Sequence, residues 1–315
     1  MSSLAKPLIC AAAFALALAS APARSADVTV RDAAGRSVSI RDASRIVSIG
    51  GAVTEILYAL GLDDRIVAVD ATSLFPPQAL RTKANVGYLR QLSPEGVLGL
   101  APSLVLAAEG AGPKEAIAVL ETASVPYVRV PDRFTGEGIV EKVRLIAVAT
   151  GAMERGDCLA ARIAADLAAL ETLRARIRAP VKVMFVLSLA GGRAMIAGRN
   201  TAADGIIRLA GAQNAISEFE GYKLVNEEAI AAASPDVVLA MERDGLKLGA
   251  DEVLAGPGFN LTPAAARKAF ISMEGQYLLG FGPRTARAAR DLVHALDPDI
   301  AGRLPSETDA RACAG

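Results

Sequence analysis

Tyr88 and Arg90 stand two residues apart in the stretch Asn85–Leu98, NVGYLRQLSPEGVL. The tyrosine follows Gly87 in a Gly-Tyr turn, and the chain then enters a helix with Ser93 as its cap and Pro94 at its first position. A phenol ionises near pH 10 and is a poor ligand for soft or divalent metals, but its phenolate is a good oxygen donor to a hard Lewis acid such as Fe(III). A neighbouring cation favours the ionised form. In an extended segment Arg90 would lie on the same side as Tyr88, able to grip a phenolate oxygen or a ligand carboxylate with its fork. Residue chemistry alone leaves a commoner use open: an aromatic ring that plugs the edge of a lobe.

The pattern occurs twice. Gly221-Tyr222 is followed by NEEAIAAASPDVVLA much as Gly87-Tyr88 is followed by SPEGVLGLAPSLVLA. The match sets Glu95 against Glu228, Pro102 against Pro235, and Val105-Leu106-Ala107 against Val238-Leu239-Ala240. Two related halves, each presenting a Gly-Tyr loop, imply two lobes facing one cleft, with Tyr222 the partner of Tyr88. Tyr222 then either meets a ligand or packs at its lobe edge. Glu95 and Glu228 fall at equivalent helix starts, where a carboxylate favours the helix dipole by about 0.3–1 kcal/mol.

Bulk composition narrows the chemistry. The 315 residues have room for two lobes of about 100–150 residues each. Lys+Arg and Asp+Glu balance at 34 each, so neither nucleic acid nor an anionic membrane surface is favoured as a partner. His294 is the only histidine, which removes most metal and nucleophilic chemistry. A Ser-His-Asp hydrolase would have to use it, and no G-x-S-x-G elbow exists. The glycine loops at 50–51 and 191–192 lack the spacing of a dinucleotide site, and no phosphate-binding G-x-x-x-x-G-K-[ST] is present. An enzyme is therefore not expected; a secreted α/β hydrolase is the rival from that class.

Residues 1–23 read as a secretory signal: Lys6, the apolar run Leu8–Ala19, and small residues around Ala21-Pro22-Ala23. The run is too short to span a bilayer, and Cys10 sits near its start rather than at its end, which argues against a lipid anchor. A free protein outside the cytoplasm is expected. Cys158 and Cys313 then either bridge or stay as two thiols.

Along the chain, residues 27–40 read as a hairpin, followed by strand, glycine turn, helix and strand through residue 70. That helix is expected from Glu55 with Thr54 as its cap. Residues 71–84, with Pro76-Pro77, read as a loop. Alternating strands and helices to residue 149 complete an α/β lobe over 27–150. Residues 152–178 read as one helix of about 40 Å, ended by Pro180, joining the lobes as a strut. The second lobe, 180–303, opens with a strand at 181–187 and a glycine loop at 188–199, and closes with a helix at 285–296. Residues 304–315 read as a flexible tail. The expected fold is α/β: two Rossmann-like lobes joined by a single long α-helix, with a ligand cleft between them.

The chain resembles the haem-binding substrate-binding proteins of bacterial ABC importers, within the class that also carries cobalamin and ferric siderophores. The resemblance covers nearly the whole mature chain: RIVSIGGAVTEILYALG, DATSLFPP, VGYLRQLSPEG, AGRNTAADGIIRLAGAQNAI, GYKLVNEEAI and LLGFGPRT. It implies that Tyr88 is the axial ligand of haem iron, that Arg90 supports the ligand oxygen, and that Arg243, after the strand ending at Ala240, faces the haem from the other lobe. It further implies a periplasmic monomer that hands haem to an ABC permease and its ATPase, with Glu95 and Glu228 docking one per lobe and Glu55 and Glu227 as rivals. Some relatives offer a histidine from the second lobe; the Ser188–Arg193 loop has none. A ferric siderophore or cobalamin carrier of the same fold is the alternative.

Overall fold

The structure is a computed structural model that describes residues 27–190, 193–243, 248–300, 302–305 and 313. The expected signal segment, 1–23, lies outside them. A hairpin, β1 (Val28–Arg31) with β2 (Ser37–Ile40), precedes the first lobe. That lobe runs β3 (Ile46–Ile49), α1 (Gly51–Ala59), β4 (Ile66–Val69), α2 (Gln78–Thr82), β5 (Ala84–Asn85), α3 (Pro94–Leu98), β6 (Leu104–Ala108), α4 (Lys114–Thr122), β7 (Tyr127–Val130) and α5 (Gly136–Ala149). Its sheet is parallel, in the order β5-β4-β3-β6-β7. β3 and β6 are buried throughout and apolar except for Ser48, as parallel strands covered on both faces must be.

Helix α6 (Met153–Arg174) follows. Leu159, Ala160, Ile163 and Leu170 recur at helical spacing and are buried, against α5 on one side and, at the far end of the chain, α12 (Thr285–Leu296) on the other. At 1.5 Å per residue α6 spans roughly 33 Å. It stops before the expected residue 178 because the chain tightens into turns, with Arg176 N–H bonded to Leu173 O and Ile177 N–H to Arg174 O.

The second lobe contains β8 (Lys182–Ala190), β9 (Arg193–Ala197), α7 (Ala202–Leu209), β10 (Gln213–Asn214), β11 (Tyr222–Val225), α8 (Glu227–Ala233), β12 (Val237–Glu242), α9 (Ala250–Leu254), α10 (Pro263–Arg267), β13 (Phe270–Glu274) and α11 (Gly275–Leu279) before α12. Its sheet follows β11-β9-β8-β12-β13, with β9 antiparallel to both neighbours and β10 on the early part of β8. One apolar cluster links the lobes, from Ile46 and Ile56 through Ile163 to Val183 and Leu292.

Three expectations change. The α1 helix begins at Gly51, four residues before the expected start. Its first N–H groups are met from the β4 loop, since Asp70 Oδ1 accepts Gly50 N–H and Thr72 Oγ1 accepts Gly51 N–H. Thr54 is consequently buried inside the helix, bonded to the Ser48 and Ser73 hydroxyls. The supposed loop 71–84 contains α2, anchored by buried Ala79. The supposed glycine loop 188–199 is largely strand, because Ala194 and Ile196 alternate into the core and pair across to β8. At the C-terminal end Leu304 is buried, and Cys313 is bridged to Cys158 on α6 with a Cα separation of 5.7 Å.

Candidate functional site

Ligands of open α/β sheets settle beyond the carboxyl ends of the strands. Tyr88 lies just there, after β5, on a loop pinned at both ends. Gly87 takes φ of +89°, a conformation that glycine adopts without a Cβ penalty, and its carbonyl accepts the Ala71 N–H at 2.8 Å. Past the tyrosine, Leu89 and Leu92 exchange main-chain hydrogen bonds with Gly112, and Ser93 Oγ caps α3 by accepting Gly96 N–H. Tyr88 is half-buried.

The expected extended run from Tyr88 to Arg90 is absent. Gln91 N–H bonds back to Tyr88 O at 2.8 Å, so Leu89 and Arg90 form the corner of a reverse turn. Alternation along a strand therefore does not bring the two side chains to one side. Arg90 stands exposed at that corner.

Tyr222 opens β11 behind Gly221, whose φ of +76° repeats that of Gly87. Its ring meets Phe185 edge to face at 6.5 Å. Burial pushes its hydroxyl above the ordinary tyrosine value. Arg90, the Thr201 hydroxyl and the Ala203 N–H pull the other way without cancelling it. Of the two readings left open by its sequence, the contact with Phe185 is the packing one.

Arg243 follows β12 and is solvent-exposed. Its guanidinium carbon stands 6.0 Å from the centroid of the Tyr88 ring, within cation–π reach. Of the four sequence-selected residues, Arg243 of the second lobe and Tyr88 of the first are thus in contact across the lobes. A cavity of about 1170 Å³ lies elsewhere, between the β1–β2 hairpin and α5, and none of the four lines it.

Glu95 and Glu228 occupy the first turns of α3 and α8, both exposed. The repeat extends to their caps, Ser93 and Asn226, each accepting an N–H three residues on. Its own main-chain N–H and the Ser93 hydroxyl hold the Glu95 carboxyl below the usual range. Glu227 is exposed beside Glu228, whereas Glu55 is withdrawn from any docking role: it is buried and paired with Arg284. His294 sits on the solvent side of α12. Sequence reasoning missed the contacts that Gln276 and Arg284 make across the lobes. Neither residue carries a local signal, and the partners lie more than 200 positions away.

Among the described residues no helix is long and apolar enough to cross a membrane. Comparison with known proteins places this geometry in context. The chain is similar to the solved structure of the periplasmic heme-binding protein BhuT in complex with two hemes: 40% identical, covering 82% of this chain and 99% of that one, with a TM-score of 0.76. It is 26% identical to YvrC, an ABC transporter substrate-binding lipoprotein of Bacillus subtilis (strain 168), over 86% of each. It is 28% identical to the vitamin B12-binding protein of Vibrio campbellii (strain ATCC BAA-1116), over 65% of this chain and 74% of that protein. Residues 46–277 match the periplasmic binding protein family throughout, from the first strand of one lobe to the α11 helix of the other. With two α/β lobes, one connecting helix and paired loops at the strand ends, the chain belongs to that family of periplasmic binding proteins.

Proposed function

We propose that this protein captures haem between its lobes and delivers it to an ABC-type importer of the inner membrane. The observation that carries the reading is the Tyr88–Arg243 pair: a phenol from one lobe under a guanidinium from the other. Phenolate is the oxygen donor suited to Fe(III), and a guanidinium beside it suits a haem carboxylate. In this reading Tyr88 is the axial ligand, Arg243 and Arg90 face the cargo, and Tyr222 lines the second lobe. The similarity to BhuT extends over nearly all of that protein.

The protein acts as a carrier, not an enzyme. It works as a periplasmic monomer, with residues 1–23 directing export, the lobes 27–150 and 180–303 forming the cleft, and Glu95 and Glu228 meeting arginines of the permease. The similarity to a vitamin B12-binding protein supports a second reading, a cobalamin carrier of the same fold, on a lower identity and a shorter match. Titration of the purified protein with hemin separates the two. A ferric haem Soret band with high-spin tyrosinate features, saturating at stoichiometric hemin and undisplaced by cyanocobalamin, is expected. Tight cobalamin binding without a hemin spectrum would favour the alternative.

A further inference from the structure

Tyr88 and Arg243 come from different lobes, so something must set their spacing, and the hydrogen bonds trace a short route between them. Gly87 O, next to Tyr88, accepts the N–H of Ala71. The loop beyond Ala71 is fixed by buried Asp70, which accepts Gly50 N–H, Thr72 N–H and the Thr72 and Ser73 hydroxyls at 2.7–3.0 Å. That loop runs on to Phe75, whose N–H donates to Gln276 Oε1 of the second lobe at 2.8 Å. The other end of the same amide, Nε2, donates to Gly51 O at 3.1 Å. Gln276 is the second residue of α11, which follows β13 directly, and its own N–H is held by Glu274 Oε1. Glu274 lies in register with Glu242, the residue before Arg243.

We infer that Gln276 is a positioning residue that sets the separation of Tyr88 and Arg243 before any cargo arrives; the inference rests on the haem reading above for what that separation serves. A primary amide suits the task, since one donor and one acceptor on a single planar group satisfy a carbonyl and an N–H of the first lobe together. Arg284 buttresses the contact. Its guanidinium lies 3.5 Å from the Phe75 ring centroid, and its N–H groups reach both oxygens of Glu55. A preset spacing spares the cargo the cost of ordering the lobes.

The test uses the full-length exported protein and Gln276→Leu, which keeps the volume and removes both hydrogen bonds. Two readouts are taken. In cargo-free protein, spin labels on Glu115→Cys in α4 and Asp251→Cys in α9 report the distribution of interlobe distances. It is expected to broaden in Gln276→Leu, and an unchanged distribution overturns the inference whatever the cargo is. In hemin titrations Gln276→Leu is expected to weaken binding about tenfold, but less than about twofold in an Arg243→Ala background, because residues acting through one another are not additive. Equal losses in both backgrounds would mean general loosening and would overturn it too. If Gln276→Leu fails to give a cooperative melt, Gln276→Asn, with its shorter reach, is read by the same two measurements. A broadened distribution in a protein that binds no hemin would retire the haem reading while leaving the spacing role of Gln276 in place.

Discussion

Arg243 places its guanidinium carbon 6.0 Å from the centre of the Tyr88 ring, and the two residues belong to different lobes. The charge of Arg90 in the first lobe also bears on Tyr222 of the second, where burial outweighs it and the hydroxyl stays above the ordinary tyrosine value. Because the Tyr88–Arg243 contact spans the cleft, the spacing of the lobes sets its geometry.

The ligand assignment makes the first prediction. Tyr88→Ala removes the oxygen donor, whereas Tyr88→Phe keeps the ring under Arg243 and removes only the hydroxyl. Losing a partner outside the ligand shell typically costs 10–100-fold in metal affinity, so losing the ligand itself should cost more than about a hundredfold. Both variants should lose the tyrosinate features of the hemin spectrum. A Tyr88→Phe protein with the wild-type spectrum would remove Tyr88 from the iron.

The two arginines make a second. Contacts between an arginine and an aromatic ring are worth about 0.5–2 kcal/mol, which corresponds to roughly 2–30-fold in affinity. Arg243→Ala should therefore weaken hemin binding by less than Tyr88→Ala, and should shift the tyrosinate bands because the cation beside the ring is gone. Arg90→Ala should also do less than Tyr88→Ala, and its spectral effect should be smaller than that of Arg243→Ala. Visible absorption across both titrations checks the order; a larger band shift from Arg90→Ala would place its guanidinium on Tyr88 instead.

What the sequence disclosed follows the range of each signal. Ser93-Pro94 marked the start of α3, and Tyr127–Val130 and Thr285–Leu296 appear as expected, because caps, β-branched runs and helical spacing are local. The internal repeat led to both tyrosines because it is visible without knowing the fold. The direction of Arg90 was not legible, since the turn that aims it is held by Gly112, which is remote in sequence. β9 was hidden by Gly191-Gly192, which reads as loop although Ala194 and Ile196 alternate into a core. Glu55 resembled a surface acid until Arg284, 229 positions away, covered it.

Docking is separable from cargo. Glu95 and Glu228 are exposed on helix starts of different lobes, and neither belongs to the Tyr88–Arg243 contact. Exchanging both for alanine should leave the hemin spectrum and affinity unchanged and slow hemin uptake by cells or by permease-containing vesicles. Unaltered uptake would move docking to other residues, with Glu227 the first to examine. Glu55→Ala should behave differently, lowering stability in denaturant melts by leaving the partly buried Arg284 without its carboxylate partner.

The hairpin supplies a pH dependence. The buried carboxylate of Asp32 accepts the N–H groups of Ala34, Arg36 and Arg129 and the Arg36 guanidinium. Burial, the largest single influence, pushes its pKa up, but the hydrogen bonds and charge of Arg36 together with the Arg129 N–H outweigh it and leave the pKa lowered. With the folded pKa below the unfolded one, the unfolded chain takes up the proton first as acid is added. The contribution is present above the unfolded value of about 3.9 and is lost as pH falls through the folded value. Asp32→Asn should flatten the acid limb of the stability curve in denaturant melts below about pH 4. An unchanged limb would assign acid sensitivity to other carboxylates.

The Cys158–Cys313 bridge closes a loop over a sequence separation of 155 and ties the end of the chain to α6. Cross-links of this kind commonly contribute about 2–4 kcal/mol, largely by restricting the unfolded chain. Cys158→Ser with Cys313→Ser should therefore lower the melting temperature, at roughly 2–4 °C per kcal/mol for a chain approaching this size. Hemin affinity should be unaffected, because the bridge lies on the connecting helix and not among the residues at the strand ends. Reducing agent should destabilise the wild type and leave the double-serine protein as it was. A bridge that also governed cargo would show itself as a change in hemin affinity on reduction at temperatures well below the melt, with the double-serine variant matching the reduced wild type.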